Sequence, residues 1–333
     1  MIISWNTTRE CNLACKHCYR DAGEKDQNEL TTAEGVALLE EIAKAGFRIV
    51  VLSGGEPMLR SDICDLVAHA AEVGLHPVLG SNGMLIDRQA ARRLKEAGAQ
   101  RVGISLDSAD ADFHNDLRQN PQAWQQAVAG MEACKAVGLP FQVHTTVTDH
   151  NQDQVLSVTD FAVKTGAAAH HIFFLVPAGR AVDIEQDSLR AAEYERLLRA
   201  IVHKQTETPI ELKPTCAPQF MRIARQLGVP MRFEKGCLAG TSYCVILPNG
   251  DVQPCPYLPL TVGNVREAPF SAIWSHNEVF QRLRTAPLLG KCGGCDYEEI
   301  CGGCRARAYF YSGGEIMAEE PWCAYRSRAK THG

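Results

Sequence analysis

Between residues 2 and 204 the chain alternates short β-branched runs with helix-period segments six times over, with little else between them. The pattern predicts strands near 2–7, 48–53, 75–80, 101–106, 141–147 and 169–176. It predicts helices near 32–45, 62–73, 87–97, 121–137, 152–165 and 188–204. Thr31 followed by Glu34 is a capping-box signature, and Gly46, Gly74, Gly98 and Gly138 each stand where a helix should stop. Strands separated by helices cannot pair as hairpins, so they must run parallel. The expected class is therefore α/β: a parallel sheet curved into a partial (β/α)6 TIM-like barrel, or opened into a doubly wound sheet. In either form, functional residues collect at the C-terminal ends of the strands.

After about residue 210 the texture changes. Pro214, Pro218, Pro230, Pro248, Pro254, Pro256 and Pro259 crowd the chain, and cysteine and glycine become dense. A short hairpin is expected from Tyr243 to Val252, turning at Pro248-Asn249-Gly250-Asp251. The rest reads mostly as loop, with too little apolar pattern to bury a core of its own. Two domains are expected, 1–209 and 210–333, the second stapled by something other than hydrophobic burial. The formal net charge of −5 leaves no basic footprint for nucleic acid. No apolar run approaches the roughly 20 residues that span a bilayer, and the N-terminus lacks the pattern of a secretory signal. A cytoplasmic protein is expected, which bears directly on its thiols.

Fourteen cysteines in 333 residues is the outlying number. In a reducing compartment, thiols clustered at short spacing hold metal more often than disulfides. Cys64 and Cys134 sit singly in helical stretches and read as core residues. The others that matter form two groups: Cys11, Cys15 and Cys18 near the start, and Cys292, Cys295, Cys301, Cys304 and Cys323 near the end. Cys11-x3-Cys15-x2-Cys18 follows the first strand directly. Three thiolates at this spacing can hold three irons of a 4Fe–4S cube and leave the fourth open, as a catalytic metal requires. Spacing alone also admits zinc, with His17 as fourth ligand.

Further residues extend the pattern. Ser53-Gly54-Gly55-Glu56-Pro57 follows the second strand, Ser81-Asn82-Gly83 the third and Ser105-Leu106-Asp107 the fourth. With CNLACKHC, these segments resemble the radical S-adenosylmethionine (SAM) enzymes, with His17 in the position before the last cysteine that is usually aromatic. That resemblance implies that Glu56 and its glycine neighbours hold the SAM amino group. It implies that Ser81, Asn82, Ser105 and Asp107 lie where the SAM carboxylate and ribose bind. It also implies reductive cleavage of SAM to a 5′-deoxyadenosyl radical.

Cys292-x2-Cys295-x5-Cys301-x2-Cys304, followed by Cys323 and preceded by Cys237 and Cys255, resembles the SPASM extension of that superfamily. The usual final spacing is CxxxC, so this run departs from it by one residue. The resemblance implies one or two auxiliary 4Fe–4S clusters. One would take Cys292, Cys295, Cys301 and Cys323. The other would take Cys237, Cys255 and Cys304 with Cys244 as fourth ligand, Cys216 competing for that place.

For the substrate, WNTTRECNLACKHCYRDAG and the later VPAGR segment, Val176 to Arg180, resemble the branch that modifies tetrapyrrole side chains in heme d1 and alternative heme synthesis. A catalytic Arg180 is expected from this, its guanidinium clamping a substrate carboxylate. His144, His150, His170 and His171 are read as structural. Flavodoxin or ferredoxin is the implied electron donor. A maturase that crosslinks ribosomally made peptides is the alternative enzyme, and an iron–sulfur electron carrier the non-enzyme one; the latter leaves the strand-end motifs unexplained.

Overall fold

In the computed structural model, which describes residues 1–327, seven parallel strands lie side by side in sequence order. They are β1 (Ile2–Thr8), β2 (Ile49–Gly54), β3 (His76–Ser81), β4 (Arg101–Ser105), β5 (Phe141–Val147), β6 (Ala169–Phe174) and β7 (Glu211–Thr215). The first six are the predicted ones. The Thr31–Glu34 capping box forms, and all four stop glycines take positive φ, between 67° and 99°. The seventh strand went unpredicted because Pro214 sits inside it. Proline has no N–H for the ladder and is tolerated at a sheet edge, which is where β7 lies.

This strand lies past the expected boundary at residue 209 and belongs to the same sheet as β1–β6. β7 and the helix Gln219–Leu227 after it complete the barrel unit, with Phe220, Ile223 and Ala224 packed on Leu198, Ile201 and Val202. The predicted hairpin is present as β8 (Tyr243–Ile246) and β9 (Asp251–Gln253), and β10 (Gly263–Asn264) follows. The hairpin is not separate from the barrel. β8 adds to β1 in parallel, Ile3 opposite Cys244 and Trp5 opposite Ile246, giving the order β10-β9-β8-β1-β2-β3-β4-β5-β6-β7. Helices Phe270–His276, Glu278–Thr285 and Arg305–Ser312 stand where loop was expected. At seven or eight residues each, they are too short for periodicity to register. Phe270, Trp274 and Phe280 join the main core around Phe47.

Strand alternation separates two faces. Val50, Leu52, Leu79, Val102, Ile104 and Val143 point outward under the helices and are at most 1% exposed. Trp5 belongs to this face, so close to the first helix that a Cβ on Gly35 would meet its ring at 2.4 Å. The inward neighbours Val51, Ser53, Val78, Ser105, His144 and His171 are all part-exposed. Closed barrels of this kind fill their interior with bulky layers. Here the lumen is lined by these part-exposed side chains and by buried polar ones, among them Ser4, Asn6 and Gln142. Among the described residues, no helix is long and apolar enough to cross a membrane.

Candidate active site and cysteine centres

The loop after β1 carries Cys11, Cys15 and Cys18 over the C-terminal mouth of the barrel. Gly23 N–H bonds the Arg9 carbonyl and Cys11 N–H bonds the Gly23 carbonyl, closing the loop on itself. Its far side docks on the C-terminal region. Arg20 Nη2 donates to the Pro256 carbonyl at 2.6 Å, and Tyr19 packs on Tyr257 with ring centroids 4.9 Å apart.

The GGEP segment threads under this loop. A Cβ on Gly55 would lie 2.1 Å from the Glu10 carbonyl oxygen, and one on Gly54 2.3 Å from that of Thr8. Here the glycines are required by the crossing backbone itself, which Gly55 N–H and Glu56 N–H bond at 2.8 and 2.7 Å. Glu56 is fully buried. Its carboxylate accepts from Ser81 Oγ, Asn82 N–H and Met58 N–H, and burial outweighs these bonds to push its pKa up to about 7. Ser53 and Ser105 reach the carbonyls of Gly80 and Ser81, and Asn82 donates to Asn12 on the cysteine loop. The strand-end residues thus brace one another and the loop.

Asp107 departs from its expected ribose role. It is fully buried and saturated: Arg118 donates to both oxygens at 2.6 and 3.0 Å, and Thr146 N–H adds a third bond. Burial alone would raise its pKa, but the Arg118 charge and the His114 bond hold it well below the ordinary range. Arg118, missed in the sequence, extends Nη1 to 3.8 Å from Cys15 Sγ. His114 and Arg118, four residues apart on the short helix Ala111–Arg118, were the available signal.

Arg180 is placed differently from expectation as well. Nε donates to the Cys15 carbonyl at 2.9 Å, and Nη1 to the Ala22 carbonyl and Asp21 at 2.8 and 2.9 Å. Its backbone N–H holds the Cys18 carbonyl, and a Cβ on Gly179 would meet that same oxygen at 2.5 Å. The PAGR turn is therefore a clasp on the cysteine loop through Nε and Nη1, while Nη2 is buried without a partner. Of the histidines, His170 is fully buried between Thr145 and Thr159, as a structural residue should be. His150 is exposed beside Asp149 and Asp187.

The C-terminal cysteines gather into two groups. Cys292, Cys295, Cys301 and Cys323 line one shallow pocket with Arg222, Glu320 and Tyr325. Backbone N–H groups of Glu320 and Tyr297 donate to the sulfurs of Cys292 and Cys295 at 3.3 and 3.5 Å. In the second group Cys304 is hydrogen-bonded to Cys216, which lowers the Cys304 pKa to about 7 against burial and with the help of Arg307. Cys255 and Cys237 both lie within electrostatic reach of Cys304. Cys244 does not join them. Its place on β8, opposite Ile3, turns its side chain outward into the main apolar core, fully buried. The structure brings Cys216 into the place expected for Cys244.

The donor sets can be tested against the groups they would hold. Four sulfurs on one zinc, at about 2.3 Å each, stand about 3.8 Å apart. Among the described residues, the trio of candidate ligand atoms found within 4.8 Å of one another is Asp149, His150 and Asp187, with no cysteine in it. Cys304 and Cys216 are in contact, but no three thiols among the described residues come within 4.8 Å of one another, which disfavours a single zinc. Sulfurs that receive backbone N–H bonds in buried surroundings are also the setting in which iron–sulfur clusters are held and tuned.

Comparison with known proteins agrees with this geometry. Residues 5–162 match the model of the radical SAM superfamily, and residues 237–305 that of the SPASM iron–sulfur cluster-binding domain. The AdoMet-dependent heme synthase of Methanosarcina barkeri is 41% identical over 99% of this chain and 97% of its own length. The protein of the same name from Nitratidesulfovibrio vulgaris is 42% identical over 99% and 94%. Streptococcus suis SuiB bound to S-adenosylmethionine superposes with a TM-score of 0.78 over 97% of this chain and 77% of that one; at 18% identity, this is a likeness of fold. The chain is an enzyme that belongs to the radical SAM superfamily, with S-adenosylmethionine and iron–sulfur clusters as its cofactors and a C-terminal SPASM domain.

Proposed function

We propose that this enzyme converts propionate side chains of an iron porphyrin to vinyl groups, the reaction type of a heme synthase. The observation that carries the reading is full-length similarity above 40% to two heme synthases, spanning both cysteine regions. A peptide maturase is the weaker reading, because the mycofactocin maturases that match nearly the whole chain are 30–31% identical, against 41–42% for the heme synthases. In this reading Cys11, Cys15 and Cys18 hold the cluster whose open iron takes SAM. Cys216, Cys237, Cys255 and Cys304 hold one auxiliary cluster, and Cys292, Cys295, Cys301 and Cys323 the other. When bound, the first cluster and SAM supply a 5′-deoxyadenosyl radical, which takes one hydrogen atom from the propionate β-carbon. Loss of that hydrogen atom, one electron and CO2 turns –CH2–CH2–COO⁻ into –CH=CH2. The substrate's electron leaves on a one-electron acceptor, and a flavodoxin or ferredoxin in the cytoplasm is the fitting class for the donor that reduces the first cluster.

The chain's own residues orient and enclose. Arg118, fixed by Asp107, brings positive charge to Cys15 in a buried setting where charge is weakly screened. Arg180 keeps the cysteine loop in register. Anaerobic incubation with iron coproporphyrin III, SAM and a strong reductant should give a product lighter by CO2 and two hydrogens per propionate, read by mass spectrometry. Turnover of didecarboxysiroheme instead would move the reaction to acetate side chains. Modification of a peptide with neither tetrapyrrole touched would overturn the proposal. Arg180→Ala should lower iron retained by the N-terminal triad and leave porphyrin affinity unchanged; the reverse result would restore the carboxylate clamp.

A further inference from the structure

The barrel lumen carries polar groups that the reading above does not use. Gln142, His144, His171 and Lys213 all point inward from β5, β6 and β7, since His144 is opposite His171 and His171 opposite Lys213. The two imidazoles stack with ring centroids 5.3 Å apart and planes within 9°. Gln142 Nε2 lies 2.6 Å from His144 Nε2 and 3.4 Å from His171 Nδ1. Arg101 donates to the Gln142 amide oxygen at 3.2 Å, which fixes that amide with its NH2 toward the histidines. Both facing ring nitrogens therefore accept. The proton of each neutral ring then sits on the other nitrogen, Nδ1 of His144 and Nε2 of His171. Burial keeps both rings neutral, His144 with its pKa lowered to about 4.

Lys213 supplies the charge. Its Nζ lies over the Phe233 ring at 4.9 Å, and it forms no ion pair with a described carboxylate within 4.0 Å. Glu211, the nearest acid on the same strand, sits one layer lower, 3.9 Å from both His171 and Arg232. On β1, Asn6 points into the same lumen, 1% exposed, with both amide atoms lacking a partner. Glu211 acts on the Lys213 charge without closing an ion pair; a largely buried cation lacking an ion-pair partner and an unpaired amide are each costly unless a ligand completes them. His144 also feels the charge of Arg118, which ties this layer to the Cys15 end of the barrel.

We propose that the barrel lumen is an anion subsite that takes one carboxylate arm of the substrate, with Lys213 as its cation and His144 and Asn6 as hydrogen-bonding partners. This rests on the porphyrin reading above. The sheet ends at the unpaired edges β7 and β10, so the barrel is incomplete, and one side-chain arm enters its lumen while the macrocycle stays outside. The subsite selects a carboxylate-bearing substrate over its ester.

The test is optical titration of the reconstituted full-length enzyme with iron coproporphyrin III and with its tetramethyl ester. Lys213→Met should weaken binding of the free acid about tenfold or more and leave the ester unchanged, with Lys213→Arg restoring the acid. Asn6→Asp, which sets a negative charge in the lumen, should act in the same direction. Iron content and SAM affinity equal to wild type certify that each variant is folded. If both variants keep the wild-type ratio of acid to ester affinity, the subsite is refuted while the porphyrin reading stands. If wild type binds neither form, the porphyrin reading falls and this subsite with it.

Discussion

Replacing Cys216 with alanine should remove one auxiliary cluster's worth of iron from the reconstituted protein, while Cys244→Ala should keep the full complement. The two residues compete for one place in the sequence, and the sheet separates them. β8 pairs with β1 so that Cys244 faces outward with Ile3 and Ile246, all fully buried in the apolar core. A thiol there is held as a small hydrophobe, and trimming it to alanine costs on the order of 1 kcal/mol of packing. Cys216 sits just past β7 with a φ of 60°, uncommon for any residue but glycine. Its carbonyl is fixed by Tyr194 Oη at 3.1 Å and Arg307 Nη2 at 2.8 Å. The unusual backbone turns its sulfur to Cys304 and Cys255. Anaerobic iron and sulfide analysis of both variants decides the matter. Equal iron loss from the two, or loss from Cys244→Ala alone, would return the ligand to β8.

What the sequence made legible follows from the range of the forces involved. Capping at Thr31 and the helix-stopping glycines are local, so strands and helices up to residue 205 were readable in order. The cysteine loop, GGEP and the later strand-end motifs were readable because a parallel sheet sends every strand's C-terminal end to one face. Cys244 was not, because its direction depends on which strand β8 joins, and that pairing spans nearly three-quarters of the chain. Arg180 was placed on the correct face, but its loop partners were not foreseen. Its acceptors are two loop carbonyls and Asp21, and carbonyls leave no mark in a sequence. Asp107 failed in the opposite way: a strand-end carboxylate suggested a ligand, and a helix of eight residues supplied an internal partner in Arg118.

Glu320→Gln should destabilise the protein by about 3–5 kcal/mol, the cost of stranding one charge of a buried pair. Arg307 is 0% exposed and Glu320 1%, joined by two bonds of 2.7 and 2.9 Å. Arg307 also donates to Tyr194 Oη at 2.7 Å and to the Cys216 carbonyl. Glu320 accepts from Cys304 N–H at 2.8 Å, and its own N–H donates to Cys292 Sγ. One ion pair thus touches a member of each cysteine group. Glutamine keeps the shape but turns an NH2 toward donors, leaving Arg307 without its counter-charge. The melting temperature should fall on the order of 10 °C, and a chelator should strip iron faster from both auxiliary centres. Glu319→Gln is the control, since its pair with Lys291 is part-exposed at 3.9 Å and should contribute less than about 1 kcal/mol. A shift for Glu320→Gln no larger than that of the control would mean that solvent or relaxation compensates Arg307. The two cysteine groups would then be held together by the apolar contacts of Leu258, Ile316 and Met317 instead.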